Sequence, residues 1–246
     1  MIERLMRGNG RLLCLCIASA VLAAGAPLAA ADTNKDEFSK ANQLLFMTDH
    51  FVGLQTPARL EYTFERTGSP ENDFTDEVEL KVAEGDEHGK KVETSFLTGD
   101  RHRYTPNVDA ATGNPVIMMF LQNDVSSIAE RSGGSWRYLQ RRVKTALENS
   151  AQVTEEQAEY DGQKIAVERI RLKPFAGEEE HRGQLDDQVQ KLYVFTLSDA
   201  VPGGVLEMRS EMPSPTENGG PLVERLSLAS VSHDENRGQK DDDSAQ

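Results

Sequence analysis

The sequence predicts an α+β fold: one curved, half-barrel-like antiparallel sheet of about six to eight strands, with an N-terminal helix and a central helical hairpin packed on one face. Three observations predict it. Apolar residues alternate with polar ones in three successive segments joined by Gly/Asn/Asp-rich turns. The period then changes from two to about 3.6 between Asn114 and Ala146. Strand-like segments return between residues 163 and 232.

Taken in order, Glu37 to Leu54 reads as the first helix. Phe38, Ala41, Leu45, Thr48 and Val52 fall near one face, with Gly53 and Pro57 ending it. In RLEYTFER, Leu60, Tyr62 and Phe64 alternate with Glu61, Thr63 and Glu65, the pattern of a half-buried strand. EVELKV (Val78, Leu80, Val82) and KVETSF (Val92, Thr94, Phe96) repeat it, and together they predict a meander. A polar loop follows. Asn114 is suited to cap a helix and Pro115 to open it. Met118, Leu121, Val125 and Ile128 then form one stripe, which leaves Ile117, Met119 and Phe120 to face either protein or a groove. Ser-Gly-Gly breaks this helix, and Ser135 is placed to cap a second one faced by Trp136, Leu139, Val143 and Ala146. In QKIAVERIRLK the apolar parity changes between Val167 and Ile170, which predicts a bulge near Glu168-Arg169. KLYVFTLSD, VLEMRSEM and LVERLSLASV complete the sheet.

The domain boundaries follow from composition. Residues 1–31 have the layout of a signal peptide: Arg4, Arg7 and Arg11, the apolar run Leu12 to Leu22, and Ala29-Ala30-Ala31 before Asp32. The run is too short for a stable membrane span. Both cysteines, Cys14 and Cys16, lie inside it, so a chain cleaved there has no thiol, no disulfide and no cysteine-based metal site. Residues 32–232 form the predicted single domain, and 233–246, HDENRGQKDDDSAQ, a disordered acidic tail. The whole chain carries a formal charge of -14. That balance opposes nucleic-acid binding, which needs a basic footprint, and adhesion to anionic membranes.

Residues that carry chemistry do not assemble into a recognisable set. None of His50, His88, His102, His181 and His233 has a second histidine one helical turn away, as a helical zinc site requires. There is no G-x-S-x-G elbow, and SGGSW around Ser135 fits a helix cap. Glu178 to Glu180 and Asp186-Asp187 read as a solvated loop. No catalytic residue, metal or cofactor is therefore expected, and the expected function is not enzymatic.

Two surfaces remain. The first helix (Leu44, Leu45, Phe46, Met47, Phe51) and the middle helix (Val116 to Leu121) are apolar around more of their circumference than one sheet face covers. Arg131, Arg137, Arg141, Arg142 and Lys144 form the one basic cluster of an acidic chain. It is either paired with strand carboxylates such as Glu61 or Glu79, simply solvated, or a docking face for an anion or a partner, with Arg137, Arg141 and Arg142 as the candidates.

Leader, helix, LEYTFERTGS meander, apolar helical segment and further antiparallel strands together resemble the exported half-barrel proteins related to periplasmic lipoprotein carriers (LolA-like). The GNPV…FL…DV segment, followed by Gly-Gly and a YL-x-RR helix, also resembles exported proteobacterial proteins of no assigned activity. The first resemblance implies a curved sheet closed by helices over a cavity that accepts acyl chains. The expectation is a periplasmic carrier with an apolar cavity lined by Leu60, Tyr62, Phe64, Met118, Leu121, Val125 and Trp136. A module that binds another envelope protein is the alternative.

Overall fold

Period-two alternation builds most of the sheet. The computed structural model describes residues 38–68, 73–177, 186–213 and 220–233. The leader, the acidic tail beyond His233, Glu178 to Glu180 and His181 lie outside the described residues. Within them, nine strands form one open antiparallel sheet, more than the six to eight expected. They are β1 (Ala58–Thr67), β2 (Phe74–Ala83), β3 (Lys90–Phe96), β4 (Val108–Ala111), β5 (Gln152–Tyr160), β6 (Gln163–Leu172), β7 (Leu192–Leu197), β8 (Val205–Met212) and β9 (Leu222–His233). The order is β4-β3-β2-β1-β9-β8-β7-β6-β5. Two meanders thus run outward from the centre, and the last strand closes against the first.

Register places the predicted core parity on one face. Leu60 pairs with Leu80 and Tyr62 with Val78, and Val78 in turn pairs with Phe96. Phe64, Leu226, Met208, Phe195, Ile170 and Val153 form one row across six strands. Helices cover this face. A helical turn, α1 (Lys40–Asn42), continues as a π-turn over Gln43–Met47. Helices α2 (Val116–Ser132) and α3 (Trp136–Asn149) form the hairpin, broken by Gly133 in the left-handed conformation. Ile117, Phe120 and Ile128 of α2 and Leu139 of α3 join the strand residues in one apolar cluster.

Several expectations are corrected. The first helix ends at Met47, not Leu54. The wide turn brings the Thr48 N–H back to the Gln43 carbonyl (3.0 Å), and Thr48 is extended. Phe38, which precedes the helix, and Val52, which lies beyond its end, are both exposed. The Asn114 side chain does cap α2, accepting from the Val116 N–H two residues on (3.1 Å) with Pro115 already helical, whereas Ser135 makes no side-chain cap bond. No bulge interrupts β6. It pairs regularly with β5 and β7, and Val167 is buried away from the main cluster on the opposite face. On α2 the expected stripe holds at Leu121, Val125 and Ile128, all buried, but not at Met118, which is 39 % exposed; Ile117, Phe120 and, at the margin, Met119 are buried as well and so face protein.

Candidate functional site

Helix α2 presents two faces. Ile117, Phe120, Asp124 and Ile128 recur at helical spacing and are all buried. Met118, Leu121, Gln122 and Val125 occupy the adjacent face and line a groove of about 420 Å³. Its second wall is α3, whose Trp136, Gln140, Val143 and Leu147 stand at i, i+4, i+7 and i+11. The π-turn adds Phe46, and α1 adds Asn42. Two contacts hold this N-terminal segment against the end of α3. The Ser39 hydroxyl donates to the Leu147 carbonyl (2.9 Å), and the Asn42 amide donates to the Glu148 carboxylate (2.5 Å).

The floor is apolar, but its rim is not. Arg137, Arg141 and Lys144 line the groove as a row at i, i+4 and i+7. Glu61 and Glu79, the carboxylates expected to neutralise this cluster, are engaged elsewhere. Glu61 accepts from Ser230 (2.7 Å), and Glu79 pairs with Arg59 and Lys81.

The structure thus brings Met118, Leu121, Val125 and Trp136 together with Arg137 and Arg141. Arg142 is not a groove residue; its side chain lines a different depression, beside Leu172 and Pro174. Leu60, Tyr62 and Phe64 also lie elsewhere, fully buried among the sheet and α2. Sequence reasoning did not join Asn42 or Phe46 to this surface. Both approach α2 only through tertiary packing, across more than 70 positions of chain, so no local pattern signals it.

A second cluster lies beneath α2. Arg66, Glu224, Ser210 and Tyr193 form one row across β1, β9, β8 and β7, on the same face as the core. Asp124 reaches this row from above. It accepts hydrogen bonds from Lys191 (2.5 Å) and from the Tyr193 hydroxyl. Arg66 stands 3.8 Å from Glu224. Two cations thus face two carboxylates, the balance a dry interior requires. Burial, reinforced by the charge of Asp124, pushes the Glu224 carboxyl up to about 7. Burial and Asp124 also push the Tyr193 phenol well above its usual range. This cluster was missed, although its signal was present: Asp124 on the Phe120–Ile128 face, Glu224 between Leu222 and Leu226, and Arg66 two residues beyond Phe64.

The remaining histidine feature is a structural tie. His50 is buried, and burial lowers its pKa, opposed by its hydrogen bond to Leu44 and by Asp49 and Asp199. Its Nδ1 accepts from the Asn114 N–H (2.9 Å), and Nε2 donates to the Leu44 carbonyl (2.8 Å). Gly204 packs against the ring, where a Cβ would come within 2.8 Å of it. The Asn114 amide donates to the Tyr62 hydroxyl (3.0 Å) and the Gly203 carbonyl (2.8 Å). This network fixes the start of α2, and with it the position of Met118.

Among the described residues, no group of three or more His, Cys, Asp or Glu side chains is placed to hold a metal ion. No described helix is long and apolar enough to cross a membrane. No protein-family model and no curated protein matches the chain. Several solved structures are similar at low identity. Lipoprotein LppX from Mycobacterium tuberculosis matches at 10% identity over 77% of this chain and 91% of its own, with a TM-score of 0.33. A candidate outer membrane lipoprotein-sorting protein domain from Vibrio parahaemolyticus matches at 11% identity over 75% and 87%, with a TM-score of 0.22.

Proposed function

We propose that this chain is an exported, periplasmic, non-enzymatic binding or carrier protein that holds an apolar chain in the groove between α2, α3 and the N-terminal segment. One observation carries this reading. Met118, Leu121, Val125, Val143, Leu147, Phe46 and Trp136 converge on one open concavity of about 420 Å³. That size lies within the range of small-molecule sites. Burying an acyl chain there stabilises the complex by roughly 0.8 kcal/mol per CH₂ removed from water. The leader-like first 31 residues support export. The engagement of both His50 ring nitrogens in fixed hydrogen bonds supports a role without acid–base chemistry. Native mass spectrometry of gently purified protein tests the proposal. Bound amphiphile, or its uptake when added, is expected; bare protein that takes up no acyl compound refutes it.

The alternative, an envelope protein docking on the same helical face, draws on Phe38, Phe46 and Met47, which are all exposed on the N-terminal segment. Co-purification of one stoichiometric protein partner, lost on substituting Phe46 and Met47 by Ser, would favour it.

A further inference from the structure

We infer that the groove selects single-chain amphiphiles with an anionic head group, held by Arg137, Arg141 and Lys144; the inference rests on the carrier reading above. Helix α3 turns two rows toward the groove. The row Trp136, Gln140, Val143 and Leu147 supplies floor, and the row Arg137, Arg141 and Lys144 supplies rim. The floor runs about 16 Å along α3, from the 1.5 Å rise over eleven residues. One chain can lie along it with its head beside the cationic row.

The charge pattern makes the rim informative. The chain has 41 acidic residues and 27 Lys and Arg, so acids are in excess and cations readily find partners. Arg59, Arg101, Arg169, Arg171 and Arg225 all pair with carboxylates. Arg137 and Arg141 are exposed, and neither they nor Lys144 have an ion-pair partner among the described residues. Three cations without an ion-pair partner among the described residues, beside one apolar groove, complement a carboxylate or phosphate attached to an apolar tail. Arginine adds bidentate geometry for either group. A cationic head would be repelled, and a neutral head would gain no charge-assisted bond.

Calorimetric titration with dodecanoate, dodecan-1-ol and dodecyltrimethylammonium, each below its micellar concentration, tests this. Dodecanoate is expected to bind tenfold or more tightly than the alcohol, since a hydrogen bond to a charged group is the stronger kind. The ammonium compound should bind most weakly. The combined variant Arg137→Gln, Arg141→Gln and Lys144→Gln should lose the preference for dodecanoate while still binding the alcohol. All three positions are on the surface, so circular dichroism should confirm an unchanged fold. Butyrate should not compete, which separates an amphiphile site from a free-anion site. Equal affinity for acid and alcohol, or a preference that survives the triple variant, overturns the head-group inference and leaves the carrier reading standing. Binding of none of the three removes both.

Discussion

The two faces of α2 have similar sequences and different environments. One face, Ile117, Phe120, Asp124 and Ile128, is sealed although it carries a charge. The other, Met118, Leu121, Gln122 and Val125, lines an open groove: Leu121 and Val125 are buried at its base, and Met118 stands exposed although it is apolar. The difference shows that burial here follows partners more than hydropathy. Asp124 is admitted to the interior because Lys191 and Tyr193 meet it. Met118 remains half-open because Phe46 and α3 stand beside it without closing over it.

The comparison can be broken most forcefully from the sealed side. Phe120→Ala should cost about 3–5 kcal/mol, the range for large-to-small changes at fully buried aromatic positions, read by urea denaturation. Asp124→Ala should cost about the same, because it leaves the Lys191 ammonium buried and unpaired. Replacing both partners, Asp124→Leu with Lys191→Met, should recover most of that loss. Recovery would establish that the pair is tolerated rather than needed.

The next effect is a pH dependence. The Glu224 carboxyl stands at about 7 in the fold against 4.5 in the unfolded chain. The folded state therefore binds the additional proton between those values, and the group's contribution falls as pH rises from about 4.5 to about 7. His50, whose pKa is lowered, works in the opposite direction: its contribution is lost as pH falls below 6.5. Glu224→Gln should remove only the first trend, so the variant gains on the wild type as pH rises through the window. Denaturation midpoints at pH 5 and pH 8 measure it; an unchanged difference would refute the placement of Glu224 as a buried carboxyl. The smallest stability effect belongs to the open face. Met118→Ser should change stability by less than about 1 kcal/mol, yet weaken ligand uptake.

Much of the fold was legible because central strands advertise a buried face. Leu60-Tyr62-Phe64 and Val78-Leu80-Val82 alternate cleanly, and their pairing follows. The two strands that were not read, β4 and β5, are the two edges of the sheet. Gln152–Tyr160 contains no buried residue, and Val108–Ala111 has one, so neither carries a hydrophobic period. Polar, charged sequence is how an edge avoids further pairing, and the same property hides it from pattern reading. For the site, the Met118–Leu121–Val125 stripe and the Arg137–Arg141 row were visible, being local to single helices. Their meeting with Phe46 was not, since it depends on where the π-turn docks. Assigning that stripe to the core held for Leu121 and Val125 and failed for Met118: a helix lying between a sheet and a groove has two apolar stripes, and periodicity alone does not say where cover ends.

The groove face of α2 is the surface proposed to take up an apolar chain. Trp136, the single tryptophan of the chain, lies on that groove and is 42 % exposed. Titrating its fluorescence with dodecanoate, in wild type and in Met118→Asp, is the most direct test. A saturable blue shift is predicted in the wild type, and its loss in the variant, whose new carboxylate would stand on the exposed side of the groove wall. A flat wild-type titration, or the same response in Met118→Asp, would show that the groove does not take up the chain.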